Sequence, residues 1–316
     1  MIRLIGAELR RLRYRRLSMF TALALVAVIA LFQVVVVLEV KPPAEAQLQQ
    51  EYQAAHDAWS ARHDQTMTDC MSGGETREDC ESYDVEPQRA DFTFTPPEFT
   101  DLGDFALLLG VFVAMLASYL VSASLIGAEF STGSLSNWLT FVPRRMAVLA
   151  AKLTAVLVGS ALAGFCTIFA NLGLAALLSR AYGLRLTGAG DLAESAGRGV
   201  ALAVLAGLLG FAAALLTRHT VAALGIVLGY LVLGTVLKGL AFDAEGPFGG
   251  LPPWLPDNNV QAFLKHGYTY TQYSDRSPDG TVERHLAFGH SALYWAVILA
   301  AGLVAAALVF RRRDVT

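Results

Sequence analysis

Long uncharged apolar runs, each of about 20 residues or more, dominate this sequence. One such run crosses the roughly 30 Å hydrocarbon layer of a bilayer as a single helix, whereas a soluble domain would intersperse charge among its apolar residues. Here 54% of the residues are hydrophobic and only 16% are charged. We therefore expect an all-α polytopic membrane protein with six spans. The expected spans are 17–39, 103–127, 147–179, 197–217, 221–240 and 289–310.

The distribution of arginines predicts how these spans are oriented. Short loops rich in Lys and Arg remain in the cytoplasm. Six arginines precede the first span, and others follow the second, fourth and sixth spans, so that with six spans all of them fall on one side. The opposite side receives 40–102, with 14 acidic and four basic residues. We predict a multi-pass protein of the cytoplasmic membrane with both termini, including the tail 311–316, in the cytoplasm. A net charge of −3 gives no indication of a nucleic-acid partner.

Residues 1–16 favour a helix that lies in the headgroup region, in contact with membrane lipids. Ile2, Ile5, Leu9 and Leu12 fall on one side of such a helix and the arginines fall elsewhere, which is typical of an interfacial amphipathic helix. A solvated basic tail is the alternative.

The external segment 40–102 contains two cysteines ten residues apart. In an oxidising compartment Cys70 and Cys80 are expected to form a disulfide. The alternative is a metal site in which these thiols act with His56 and His63, which lie seven residues apart on one predicted helix and so share a face.

The second external segment, 241–288, has two parts. The Gly/Pro-rich stretch 246–256 is predicted to be re-entrant, dipping into the outer leaflet. Alternating residues at 268–273 and 281–286 then flank a Ser-Pro-Asp-Gly turn at 277–280, which predicts a β-hairpin.

Signatures of enzymes and of ATP binding do not occur in the sequence. It has no phosphate-binding loop, no H-E-x-x-H pair and no G-x-S-x-G elbow, so we expect no catalytic residue, metal site or cofactor on this chain. The glycine-rich string 188–193 matches the letters of a dinucleotide-binding motif, but no predicted strand precedes it, so we reject that interpretation. Cys166 is interpreted as a small packing residue. Four ionisable residues near the ends of spans are expected to reach the interface by snorkelling, namely Glu39, Lys152, Lys238 and His290.

The segment 128–146, between the second and third spans, predicts a short amphipathic helix parallel to the membrane. Its apolar residues recur at helical spacing and a proline ends the pattern. The apolar residues are Leu135, Trp138, Leu139 and Val142, the proline is Pro143, and Ser131, Thr132 or Ser134 could cap the start. A simple interfacial connector anchored by Trp138 is the alternative.

The same segment resembles the cytoplasmic motif of ABC-2-type exporter permeases, which is roughly G-x-E-F-x-T-G-[ST]-L, then P-x-R, then a lysine. The matching residues are Gly127, Glu129, Phe130, Thr132, Gly133, Ser134, Leu135, Pro143, Arg145 and Lys152. The sequence departs from this pattern at Arg144, where a small or polar residue is expected, and its first external loop is longer than in the simplest members.

The resemblance implies a transport subunit that is not itself an enzyme. The amphipathic segment would be a coupling helix that docks on a separate cytosolic ATPase subunit, where ATP and Mg bind, and Glu129 would organise the start of that helix. The chain would pair with a second permease copy or a homologue. Export is implied by the resemblance, and the lack of an evident charged lining favours an amphiphilic or hydrophobic cargo, such as a drug, an antibiotic or a lipid-like molecule.

Two other classes of function remain open. The chain could be a membrane sensor or assembly protein with the external loop as its receptor. It could instead be a membrane-embedded lipid-modifying enzyme that recruits His219, His285 or Asp243 at an interface, although no acid/base pair stands out by spacing.

Overall fold

The computed structural model describes residues 2–134 and 145–312. Within these residues six helices are long and apolar enough to cross a membrane, which confirms the predicted number of spans. In chain order the elements are α1 (Ile2–Tyr14), α2 (Arg16–Val40), α3 (Glu45–Ser60), α4 (His63–Ser72), α5 (Arg77–Tyr83), α6 (Phe99–Ser131), α7 (Arg145–Ala181), α8 (Ala189–Thr217), α9 (Thr220–Leu240), α10 (Pro256–Leu264), β1 (Gly267–Tyr273), β2 (Thr281–Ala287) and α11 (Phe288–Arg312). The candidate spans are α2, α6, α7, α8, α9 and α11.

Several spans extend beyond their apolar runs. Helix α6 begins before the predicted position 103 and ends after position 127, and α8 begins eight residues before position 197. The first turns of α8 are polar. Arg198 and Glu194 form an ion pair there at 2.6 Å, which stabilises this end of the helix. The hydropathy of the sequence therefore predicted the apolar parts of α6 and α8 but not their polar ends.

The ends of the helices that carry most of the arginines lie together. Gly127 in α6 lies against Thr220 at the start of α9, and the guanidinium of Arg218 lies over the ring of Phe130 at 5.7 Å from its centre. We call this side, with α1, the arginine-rich end. The connection between α8 and α9 is tight, and Arg218 adopts a left-handed φ of 58° between the two helices. The segments 41–98 and 241–287 lie at the opposite end.

Small residues bring α6, α7 and α8 into close contact at the centre of the bundle. A Cβ on Gly210 of α8 would lie 2.4 Å from the backbone oxygen of Tyr119 in α6. A Cβ on Gly207 would lie 2.2 Å from the Ser160 hydroxyl of α7. Within its most apolar 18-residue stretch, α8 buries 61% of its residues, whereas α2 and α9 each bury only 11%. Helix α8 is therefore central, and α2 and α9 lie at the perimeter.

Polar side chains also join the helices away from their ends. The Gln33 amide donates to Oδ1 of Asn171 at 2.9 Å, and the Asn171 amide donates to the Ala106 carbonyl at 2.7 Å. This chain of hydrogen bonds links α2, α7 and α6. Cys166 of α7 is exposed on the outside of the bundle, so its interpretation as a packing residue was wrong.

At the opposite end, the Cys70–Cys80 disulfide is confirmed. The helix expected to carry both His56 and His63 is broken after Ser60, which places the two histidines on separate helices. Both rings lie beside Trp59 in tilted arrangements, with centroids 6.0 and 4.4 Å away. The disulfide consumes both thiols, and in the part of the chain that the structure describes no cluster of three or more His, Cys, Asp or Glu could hold a metal.

The predicted β-hairpin is also confirmed. Strands β1 and β2 are antiparallel, with Gly267 opposite Ala287 and Tyr273 opposite Thr281. Gly280 has a φ of +67°, the left-handed conformation that the turn requires. The preceding stretch forms a 3₁₀ turn at Pro252–Trp254 and then α10.

The C-terminal end of α10 is bonded to α6 and α8. Lys265 pairs with Asp104 of α6 at 2.6 Å. Nε of Arg198 in α8 donates to the Leu264 carbonyl at 2.8 Å. The segment before the hairpin is thus fixed to two of the central helices.

Replacing Gly210 with alanine tests the close contact of α6 and α8. The new methyl group would meet backbone atoms that cannot rotate away, so we expect a loss of about 1–3 kcal/mol in stability. The measurement is the free energy of unfolding in detergent. The matched control is Gly173→Ala in α7, where a Cβ meets nothing within 4 Å and helix propensity favours alanine by about 1 kcal/mol. Equal effects of the two substitutions would contradict this packing.

Candidate functional site

The motif residues at the end of α6 each have a defined structural role. Gly127 allows the close approach to α9, since a Cβ there would lie 2.3 Å from the Thr220 hydroxyl oxygen. The Thr132 hydroxyl donates to the Ala128 carbonyl at 2.8 Å, and Gly133 has a φ of +64°. A left-handed glycine after the last turn is a common way to terminate a helix. The first part of the motif therefore ends α6.

This arrangement corrects the predicted bounds of the connecting segment. Residues 128–131 belong to α6 and 145–146 belong to α7, so neither group is part of a separate helix as 128–146 implied. The hydroxyls of Ser131 and Thr132 bond back to α6 and do not cap a following helix. The hydroxyl oxygens of Thr132 and Ser134 lie 3.2 Å apart, within hydrogen-bond distance. The predicted docking residues Leu135, Trp138, Leu139, Val142 and Pro143 lie outside the described residues.

The acidic and basic ends of the motif meet in a buried ion pair. Glu129 of α6 and Lys152 of α7 are 6% and 1% exposed. Nζ of Lys152 lies 2.7 Å from Oε1 of Glu129. The expectation that Lys152 snorkels to the interface was wrong, because its ammonium is paired inside the protein. Arg145, the other basic motif residue, is the first residue of α7.

Helix α1 completes the site with residues that the motif did not indicate. Glu8, which is 2% exposed, accepts from Nζ of Lys152 at 2.9 Å. Nη1 of Arg11 lies 3.2 Å from Oε1 of Glu129 and 3.8 Å from Oε1 of Glu8. Glu8 is the only acidic residue among the first 38, and a single acid within a basic amphipathic helix was the available signal.

Arg15, between α1 and α2, is the fifth member of this group. Burial is the main cause that lowers the pKa of its guanidinium, and the nearby carboxylates of Glu129 and Glu8 act in the opposite direction. We call Glu8, Arg11, Arg15, Glu129 and Lys152 the ion cluster. It contains three cations and two carboxylates.

The ion cluster is only partly satisfied by hydrogen bonds. Oε2 of Glu8, Oε2 of Glu129 and Nη1 of Arg15 are buried and have no hydrogen-bond partner within the described residues. Buried charges are costly unless they are paired, and each of these charges depends on the others being present. The ion cluster joins α1, α6 and α7 next to the end of α6 and the start of α7.

The three residues considered for an enzyme do not form one site. His219 precedes α9 at the arginine-rich end, whereas Asp243 and His285 lie at the opposite end. Asp243 bridges to Tyr273 at the turn end of the hairpin, whereas His285 pairs with Thr269, which lies four residues earlier in β1. At the usual rise per residue of a strand this is about 13 Å along the hairpin.

Comparisons of the chain with protein-family models, with curated proteins and with solved structures found no match.

Replacing Lys152 with methionine tests the interdependence of the ion cluster. The substitution leaves two buried carboxylates without their shared ammonium, and we expect a loss of about 3–5 kcal/mol in stability, measured as the free energy of unfolding in detergent. Adding Glu8→Gln and Glu129→Gln should recover most of this loss, since neutral amides need no counter-charge. Lys238→Met, at a lysine that is 53% exposed, is the control and should cost less than about 1 kcal/mol. Independent, additive effects of the three substitutions would contradict the cluster.

Proposed function

We propose that this chain is the membrane-spanning permease subunit of an ATP-driven exporter of the ABC-2 type. It moves an amphiphilic or hydrophobic substrate across the cytoplasmic membrane. The energy comes from a separate cytosolic subunit that binds ATP and Mg, and a second permease copy or a homologue completes the path.

The observation that carries the proposal is the buried pair of Glu129 and Lys152. These residues belong to the motif that resembles ABC-2 permeases, and they lie on either side of the connecting segment 132–144. Because the pair fixes the end of α6 to the first turns of α7, both helices must respond to a displacement of the segment between them. A docked ATPase would act at this point.

The position of α1 supports the same proposal. Glu8 shares the Lys152 ammonium, so α1 is linked to the helices that flank the connecting segment. A partner that contacts the segment and α1 together would move one connected unit. The concentration of arginines at this end supports its assignment to the cytoplasm, where ATP is available.

The character of the spans supports an apolar or amphiphilic cargo. Membrane-embedded charges are costly and usually mark the path of an ion or a proton. In the described spans the charges of Glu129 and Lys152 neutralise each other near one end, and the central polar contact of Gln33 with Asn171 is uncharged. The perimeter helices α2 and α9 expose mainly apolar side chains, which suits contact with lipid and with a second permease.

A sensor or assembly protein is the second candidate. The observation that favours it is the folded external unit of α3, α4 and α5, closed by the Cys70–Cys80 disulfide. Such a protein would use the same linked helices to pass a signal, but it would not require a bound ATPase.

Affinity purification of the tagged chain in mild detergent tests the proposed function. We expect the wild type to retain a cytosolic ATP-binding subunit and ATP hydrolysis activity. Trp138→Ala should reduce the retained subunit by about tenfold or more, because buried aromatic anchors carry much of an interface's binding energy. The control is Trp254→Ala, at an exposed tryptophan of the opposite end, which should retain the subunit as the wild type does. An intact wild-type chain that retains no ATPase would favour the sensor.

A further inference from the structure

A cavity of about 120 Å³ lies beside the ion cluster, between α1 and α2 on one side and α6 and α7 on the other. Small residues on the facing helices create the space, among them Ala117 of α6 and Ala163 of α7. Leu12 of α1 closes one wall, since a Cβ on Gly159 would lie 2.7 Å from its side chain. The volume is too small for a whole lipid and is about that of one glycerol unit.

The walls of the cavity combine apolar side chains with hydroxyls. The hydroxyl residues are Ser18, Thr21, Ser118, Ser122 and Ser160. Ser118 is only 4% exposed, and the hydroxyl oxygens of Ser118 and Ser18 are buried without a hydrogen-bond partner within the described residues. Leaving a hydroxyl unpaired in an apolar setting is costly. A mostly apolar pocket with a few polar groups is typical of a ligand site.

The charges next to the cavity favour an anionic group. Ser18 lies three residues after Arg15, and Val156 of the cavity lies four residues after Lys152, so each charged residue is about one helical turn from the wall. The ion cluster has one more cation than carboxylates. The Arg15 side chain as a whole is only partly buried, so its guanidinium offers a charged donor to a phosphate near this edge of the cavity.

The cavity also lies where a lipid can reach it from the side. It is bordered by the first turns of α2, where Met19, Phe20 and Leu23 are 61%, 67% and 67% exposed on the outside of the bundle. Exposed apolar side chains of this kind face hydrocarbon in a membrane-spanning helix. The site is therefore at the boundary between headgroups and chains at the arginine-rich end.

We propose that this cavity binds an anionic glycerophospholipid, with the phosphate on the side of Arg15 and the glycerol region among the hydroxyls of α2, α6 and α7. The bound lipid accepts hydrogen bonds from the Arg15 guanidinium and from hydroxyls of the cavity wall. The assignment depends on the contacts of the ion cluster and the cavity and does not require a docked ATPase.

Native mass spectrometry of the full-length chain in non-ionic detergent, titrated with phosphatidylglycerol, tests this site. We expect one saturable lipid adduct on the wild type. Arg15→Gln should weaken it by about tenfold, which is the usual loss for a charge-assisted hydrogen bond. The matched control, Arg16→Gln, changes the adjacent exposed arginine and should bind as the wild type does.

A second matched pair tests the cavity itself. Ala163→Leu fills the space and should abolish the saturable adduct, whereas Ala170→Leu, on an exposed position of the same helix, should not. Thermal unfolding of each variant shows whether it remains folded. If Ala163→Leu does not fold, Ser118→Ala removes only the hydroxyl group without adding volume and should weaken the adduct several-fold.

Three outcomes would overturn the proposal. One is equal binding of phosphatidylglycerol by Arg15→Gln and Arg16→Gln. Another is undiminished binding by the folded cavity variants. The third is displacement of the lipid by millimolar inorganic phosphate, which would make the site one for a free anion. Saturable binding that resists inorganic phosphate and is lost only in the cavity and Arg15 variants would support a lipid site.

Discussion

The arrangement of the arginine-rich end depends on the charge of Lys152. An ammonium that is 1% exposed cannot be solvated, so its stability requires the carboxylates of Glu8 and Glu129 at 2.9 and 2.7 Å. One of these acids comes from α1 and the other from α6. The position of α1 against the bundle is thus set by electrostatics as well as by apolar contact. A basic helix with an apolar face could otherwise adopt many positions in the headgroup region.

The rest of the bundle is held together in a different way. Helices α6, α7 and α8 approach closely through Gly207, Gly210 and their small neighbours, where dispersion contacts are dense and no side chain can be enlarged. Helix α2 packs through one edge, where Phe32, Val36 and Val40 are buried in the core, and the amide of Gln33 adds a polar contact. The molecule therefore combines a closely packed centre with perimeter helices that are buried over a smaller part of their surface. Perimeter helices are the elements that can shift at the smallest energetic cost.

Features with a local cause were predictable from the sequence. The six spans follow from the length of apolar runs, the hairpin from alternation around a Pro-Asp-Gly turn, and the disulfide from two cysteines in one short loop. The polar ends of α6 and α8 were missed because hydropathy does not register side chains that are satisfied by neighbours. The burial of Lys152 was missed because one of its partners, Glu8, is 144 residues away in sequence. The motif indicated Glu129 and Lys152, but their contact is a property of the folded chain.

The ion cluster and the cavity share the junction between α1 and α2, which has a thermodynamic consequence for the two proposals. Arg15 belongs to the cluster and precedes the cavity wall by about one turn, and Lys152 does the same on α7. A lipid that fixes Arg15 changes the balance of charge around Glu129, next to the connecting segment. On both proposals together, a partner docked on that segment binds with a different affinity when the lipid is present, and by linkage it alters lipid affinity by the same factor. The protein would then sense the anionic lipid of its own leaflet through the contacts that join α1 to α6 and α7.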